Sequence, residues 1–114
     1  MDADQAPREP AGVITIRTED AGRVLHLAGN VDTAVATRFR AEQERVPVDA
    51  VDAGEVTFIS SSGLSLVLMY VEASVAAGHR PVLRSASRQV RRVLELSGVD
   101  SLLPRPDPGA QRGA

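Results

Sequence analysis

The chain has no cysteine, no lysine and no tryptophan, and its aromatic residues amount to Phe39, Phe58 and Tyr70. Without cysteine there is no disulfide, no thiolate chemistry and no Cys-based metal site, which suits a reducing compartment. Without lysine a Gly-x-x-x-x-Gly-Lys phosphate loop cannot exist. Gly-x-Gly-x-x-Gly is also missing, and no His or carboxylate cluster has metal-ligand spacing, so no cofactor is expected. So few aromatics cannot build the stacking platforms used by single-strand nucleic-acid binders. A formal charge of −2 exerts no long-range pull on phosphate backbones or anionic lipid. Nucleic acid and membrane therefore drop out as expected partners. The first residues lack a basic stretch followed by an apolar run. The longest mainly apolar window, residues 64–77, is broken by Ser65, Glu72 and Ser74 and is shorter than the roughly 20 residues of a span. A cytoplasmic location is the expectation.

What the chain does contain is enough aliphatic material for one core. Its 114 residues, 43% hydrophobic and 25% charged, fit a single domain. Prolines and acids over residues 1–11, and Pro104, Pro106 and Pro108 over residues 104–114, read as solvated tails. The folded unit is then residues 12–103. Val13 to Thr18 and Arg23 to Ala28 are extended segments around the turn residues Glu19-Asp20-Ala21-Gly22, a hairpin pattern. Asp32 stands as an N-cap for a helix over Thr33 to Arg45, with Ala34, Val35 and Phe39 on its apolar stripe and Pro47 closing it. Val48 to Asp52 reads as a strand, with Gly54 as a break and Val56 to Ile59 as its extension or a separate element. Leu64, Val67, Leu68, Val71 and Val75 recur at helical steps up to Gly78. Pro81 to Arg84 reads as a strand, Ser87 as an N-cap, and Val90, Val93 and Leu94 as the buried face of a last helix closed by Gly98. Val99 to Leu103 is one more short strand or a capping segment. The order ββαβαβα predicts an α/β fold: a mixed, mostly parallel sheet of four to five strands with an antiparallel edge strand and helices packed on it.

The sharpest local feature is Phe58-Ile59-Ser60-Ser61-Ser62-Gly63-Leu64, three hydroxyls at a strand-to-helix turn. Helix-start N–H groups favour an oxygen or an anion there. One of the serines is expected to cap the helix. A phosphate on another would add roughly −1.5 to −2 charges to a neutral surface. A small serine hydrolase is the competing chemistry, but the nucleophile elbow Gly-x-Ser-x-Gly fails because Ile59 stands two before Ser61. The candidate bases are His26, inside a strand, and His79, in a loop. Five arginines between Arg80 and Arg92 form a local basic stretch, read as solvated helix surface or as a protein-partner contact.

Phe58 to Leu64, with Val51-Asp52 ahead and Leu66-Val67-Leu68 behind, resembles the phosphorylation segment of STAS domains, specifically bacterial anti-sigma factor antagonists. Leu27-Ala28-Gly29-Asn30-Val31-Asp32-Thr33-Ala34 is similar to the family's Leu-x-Gly-Glu-Leu-Asp turn. Val90 to Val99 resembles its closing helix. The three blocks stand in the family's order and spacing over residues 13–103.

The resemblance implies a switch without catalysis, in which Ser62 is the phospho-acceptor and Gly63 permits close backbone approach. Asn30, Asp32, Ser60 and Ser61 form the acceptor's surroundings; for Asp32, the capping role is an equal alternative. The implied partners are an anti-sigma factor, typically a serine kinase of the histidine-kinase-like ATPase fold, and a PP2C-type phosphatase. The unmodified chain would sequester the anti-sigma factor and release a sigma factor. Two positions depart from the family: Ser60 stands for its usual Asp and Asn30 for its Glu. If those acids serve kinase docking, slow phosphorylation or an unusual kinase follows. An alternative within the family is a scaffold of a stress-sensing complex or a partner of a lipid-transport ATPase, without a phospho-switch.

Overall fold

In the computed structural model, residues 11–99, 103 and 104 are described. Apart from Ala11 and Pro104, the two expected tails lie outside the described residues. The β-branched run of β1 (Val13–Glu19) turns at Asp20-Ala21 into β2 (Gly22–Val31). Gly22 leaves that turn at φ +128°, a conformation that side-chain-bearing residues rarely adopt. The remaining elements are α1 (Thr33–Glu42), β3 (Ala50–Ile59), α2 (Ser61–Ala76), β4 (Val82–Ala86) and α3 (Arg88–Ser97). The sheet order is β1-β2-β3-β4. β1 is the antiparallel edge, while β2, β3 and β4 run parallel. The α/β class and the order ββαβαβα stand as the pattern predicted, with four strands.

Strand alternation decides which face is covered. Leu25 and Leu27 of β2, Val51 of β3 and Leu83 of β4 join one core cluster with Leu66, Val67, Tyr70 and Val71 of α2 and Val90 and Leu94 of α3. Val35 and Phe39 of α1 pack against it, and the Phe39 ring meets Tyr70 at 6.0 Å between centroids. All three helices thus bury their apolar sides on the same face. Fully buried aliphatics such as Leu25, Leu27 and Leu66 each contribute about 1.5–3 kcal/mol. On the opposite face, Arg84 reaches across the sheet to both Asp52 (2.8 Å) and Glu19 (2.7 Å).

Three expectations need correction. α1 ends at Glu42, not Arg45, because Gln43 already adopts an extended conformation. The run Glu42-Gln43-Glu44-Arg45 offers no apolar face to extend the helix, and of its expected stripe Ala34 is exposed while Ala36 is buried. β3 is one strand running through Gly54, so Val56 to Ile59 is the extension and the expected break is a register shift against β2; a Cβ at Gly54 would collide with Ser85 Oγ, a close approach that glycine permits. The buried face of α2 is Gly63, Leu66, Val67, Tyr70, Val71 and Ser74, whereas Val75 is 57% exposed. Beyond α3, Leu103 is buried and the Pro104 carbonyl accepts a bond from Leu83 N–H at 2.7 Å.

Candidate functional site

The parallel strands β2 and β3 end side by side, and each feeds a helix. Asp32 caps α1: its Oδ1 accepts from Val35 N–H at 2.9 Å. Ser60 caps α2 in the same way, its Oγ accepting from Gly63 N–H at 3.1 Å. The two turns are joined directly, since Ser60 N–H donates to the Val31 carbonyl at 2.9 Å. A third element reaches in through Gln89 of α3, whose Oε1 accepts from Ile59 N–H at 3.1 Å. Two helix starts therefore lie together at the carboxyl ends of adjacent parallel strands, the usual place for recognition in open α/β sheets.

With Ser60 acting as the cap, the other hydroxyls are free of that duty. Ser61 is exposed and Ser62 half-buried in the first turn of α2. Among the described residues the Ser62 hydroxyl has no hydrogen-bond partner. Gly63 is buried, and a Cβ there would lie 2.9 Å from Ile59 Cγ1, 3.0 Å from Val31 Cγ1 and 3.1 Å from the Val31 carbonyl oxygen. Glycine thus lets the first turn of α2 sit down on the ends of β2 and β3, which fixes the height of Ser62 above the sheet.

Asn30 is placed differently. It pairs with Phe58 in the sheet, so its side chain belongs to the face opposite Val31 and Ile59. Its carbonyl accepts from Asp32 N–H at 3.1 Å, while its Oδ1 is buried without a partner among the described residues. The backbone of Asn30 shapes the Asp32 turn. The contributions of Val31, Ile59 and Gln89 escape sequence reasoning, because backbone carbonyls, backbone amides and one glutamine in an exposed helical turn leave no pattern.

The histidines stand apart from this site. His79 Nδ1 is 2.7 Å from Asp49 Oδ1, just ahead of β3, whereas Ser62 follows the other end of that ten-residue strand. The strand separates them by about 30 Å. His26 pairs with Thr15 and Asp52 on the face away from the helices. Neither can take a proton from the serine run.

The architecture is a two-layered α/β domain, a mixed four-stranded sheet with helices on one face, with a half-buried serine in the first turn of α2. The family model described as "Mlab, STAS domain" matches residues 14–104, and the chain belongs to the STAS domain family. Among solved structures, it is similar to that of the anti-sigma factor antagonist SpoIIAA in its unphosphorylated form, with 23% identity, a TM-score of 0.64, and coverage of 90% of this chain and 98% of that one. It is likewise similar to the Bacillus cell fate determinant SpoIIAA in its phosphorylated form, with 21% identity, a TM-score of 0.58, and coverage of 90% and 100%. At these identities the likeness concerns the fold. No curated protein sequence matches the chain. Among the described residues, no helix is long and apolar enough to cross a membrane.

Proposed function

We propose that this chain is an anti-sigma factor antagonist of the cytoplasm: a non-catalytic module that binds an anti-sigma factor while unmodified and is switched off by phosphorylation of Ser62. The observation that carries this reading is the division of labour in the serine run, with Ser60 capping α2 and the Ser62 hydroxyl left unbonded and half-buried. A phosphate on Ser62 would sit at the positive end of α2, so the modification leaves the fold intact. The same charge pushed against a partner's desolvated surface costs several kcal/mol, and about 1.4 kcal/mol already means tenfold in affinity. The partner would be a serine kinase of the histidine-kinase-like ATPase fold, and a PP2C-type phosphatase would reverse the mark. Ser61, Asp32 and the Asn30 backbone border the surface that the partner reads, and the buried Gly63 sets the height of Ser62 within it.

The test is a pull-down of the anti-sigma factor with wild type, Ser62→Ala and Ser62→Asp, alongside intact mass after incubation with kinase and ATP. Wild type should gain one phosphoryl group and Ser62→Ala none, while Ser62→Asp should lose binding by tenfold or more. Unchanged binding by Ser62→Asp overturns the switch. A second reading, a STAS scaffold or lipid-transport partner without the switch, is favoured by Ser60 and Asn30 standing where the family carries acids. It predicts no phosphorylation at all.

A further inference from the structure

A cavity of about 180 Å³ opens between the C-terminal end of α1 and the middle of α2, lined by Arg40, Gln43, Arg45, Leu66, Met69 and Tyr70. It lies apart from the serine run and belongs to no part of the function above. Its floor is apolar, formed by Leu66 and Met69. Its rim is cationic. Among the described residues, neither Arg40 nor Arg45 has a carboxylate partner, and the neighbouring acids Glu42 and Glu44 are exposed and do not line the cavity. Tyr70 is 2% exposed as a whole, and its hydroxyl, which bonds to no described residue, is the part left open to the cavity and solvent. Burial pushes the Tyr70 phenol above its ordinary range, and the Arg45 charge acts on it in the opposite sense. The phenol and the Arg45 guanidinium line the same cavity.

A phenol hydroxyl that opens into a cavity can donate to an anion held there, and guanidinium groups match carboxylates with paired donors. A phenol without a partner, two unpaired cations and an apolar floor around one small space fit a ligand with an anionic head and a short hydrophobic body. The volume bounds that body, since a cavity of about 150 Å³ holds a benzene ring. We infer that this cavity binds a small organic monocarboxylate of roughly six carbons, its head on Arg40, Arg45 and the Tyr70 hydroxyl and its body on Leu66 and Met69.

Titrating the isotope-labelled full chain with hexanoate, 1-hexanol and inorganic phosphate, followed by NMR, tests the inference. Hexanoate should saturate at one equivalent, with shifts centred on Leu66, Met69 and Tyr70. Replacing Arg45 by Gln, or Arg40 by Gln, should weaken it about tenfold or more, since each removes a charge-assisted contact. Tyr70→Phe keeps the ring in the core and should weaken hexanoate with little effect on hexanol. Absence of saturation, shifts centred elsewhere, equal responses to hexanoate and hexanol, or phosphate binding as tightly as hexanoate would each overturn it. Because Arg40 and Arg45 are exposed, their variants fold as wild type does, and Ser62 phosphorylation is read separately from this binding.

Discussion

Two residues in the first turn of α2 carry opposite kinds of information, and their substitutions separate them. Gly63→Ala gains up to about 1 kcal/mol of helix propensity. Its new methyl, however, meets the Val31 carbonyl at 3.1 Å as well as the Ile59 and Val31 side chains. A side chain can yield a few tenths of an ångström, but a carbonyl tied to Ser60 N–H cannot, and overpacking of this kind costs about 1–3 kcal/mol. The net expectation is a loss of about 1 kcal/mol in urea unfolding, and a stabilised variant would show that the contact is slack. The serines offer the matching comparison. Ser60→Ala removes the cap and should cost about 1 kcal/mol. Ser62→Ala removes an unbonded hydroxyl and should stay within about 0.5 kcal/mol. Reversal of that order would move the cap to Ser62 and leave Ser60 as the free hydroxyl.

At the level of the elements, α2 shows where sequence reading runs out. Caps and turns were legible: Asp32, Ser87 and Gly98 occupy their expected positions, the last at φ +74°, because each acts through its own neighbours. The face of α2 was not, because apolar residues surround nearly the whole helix, so three- and four-residue steps fit several faces. The side that packs is chosen by small residues, Gly63 and Ser74, which allow close approach to the strands. Ser74 is wholly buried. Its Oγ accepts from Val48 N–H at 2.8 Å and donates to the Tyr70 carbonyl at 2.6 Å, so α2 satisfies a buried amide just ahead of β3. Ser74→Ala keeps the volume but strands that amide, at a cost of about 1–3 kcal/mol. Hydrogen exchange at Val48 should speed up with it, whereas Ser65→Ala, on the exposed side, should leave both unchanged. The candidate site was legible to the same degree: the serine run stood out as a motif, but which serine caps depends on the length of β3 and the start of α2, and those are set by tertiary pairing.

Across the whole molecule, the parallel sheet is closed at one end by carboxylates whose ionisation is coupled to folding. Asp49 is held below its ordinary range first by Arg23 N–H at 2.9 Å and then by the His79 ring; its backbone also bonds to Arg23 and Val82, so it ties β2 to β4. For Asp52, burial acts to raise the value, but Arg84 and the Gly54 N–H together outweigh it and the net direction is down. Glu19 is lowered by the same Arg84. A carboxyl depressed in the folded state contributes stability that is complete above its unfolded value and drains as pH falls through the folded one. The chain should therefore hold its unfolding free energy down to about pH 4.5 and lose it progressively below, through the range where free carboxyls protonate. Asp49→Asn and Asp52→Asn should each flatten that fall while lowering stability at neutral pH. Arg84→Gln should weaken the contributions of Glu19 and Asp52 together, and because these pairs are partly exposed, added salt should mimic it in part. Urea midpoints at a series of pH values decide the matter: a wild-type slope below pH 4.5 that survives unchanged in Asp49→Asn and Asp52→Asn would place the acid sensitivity outside this cluster.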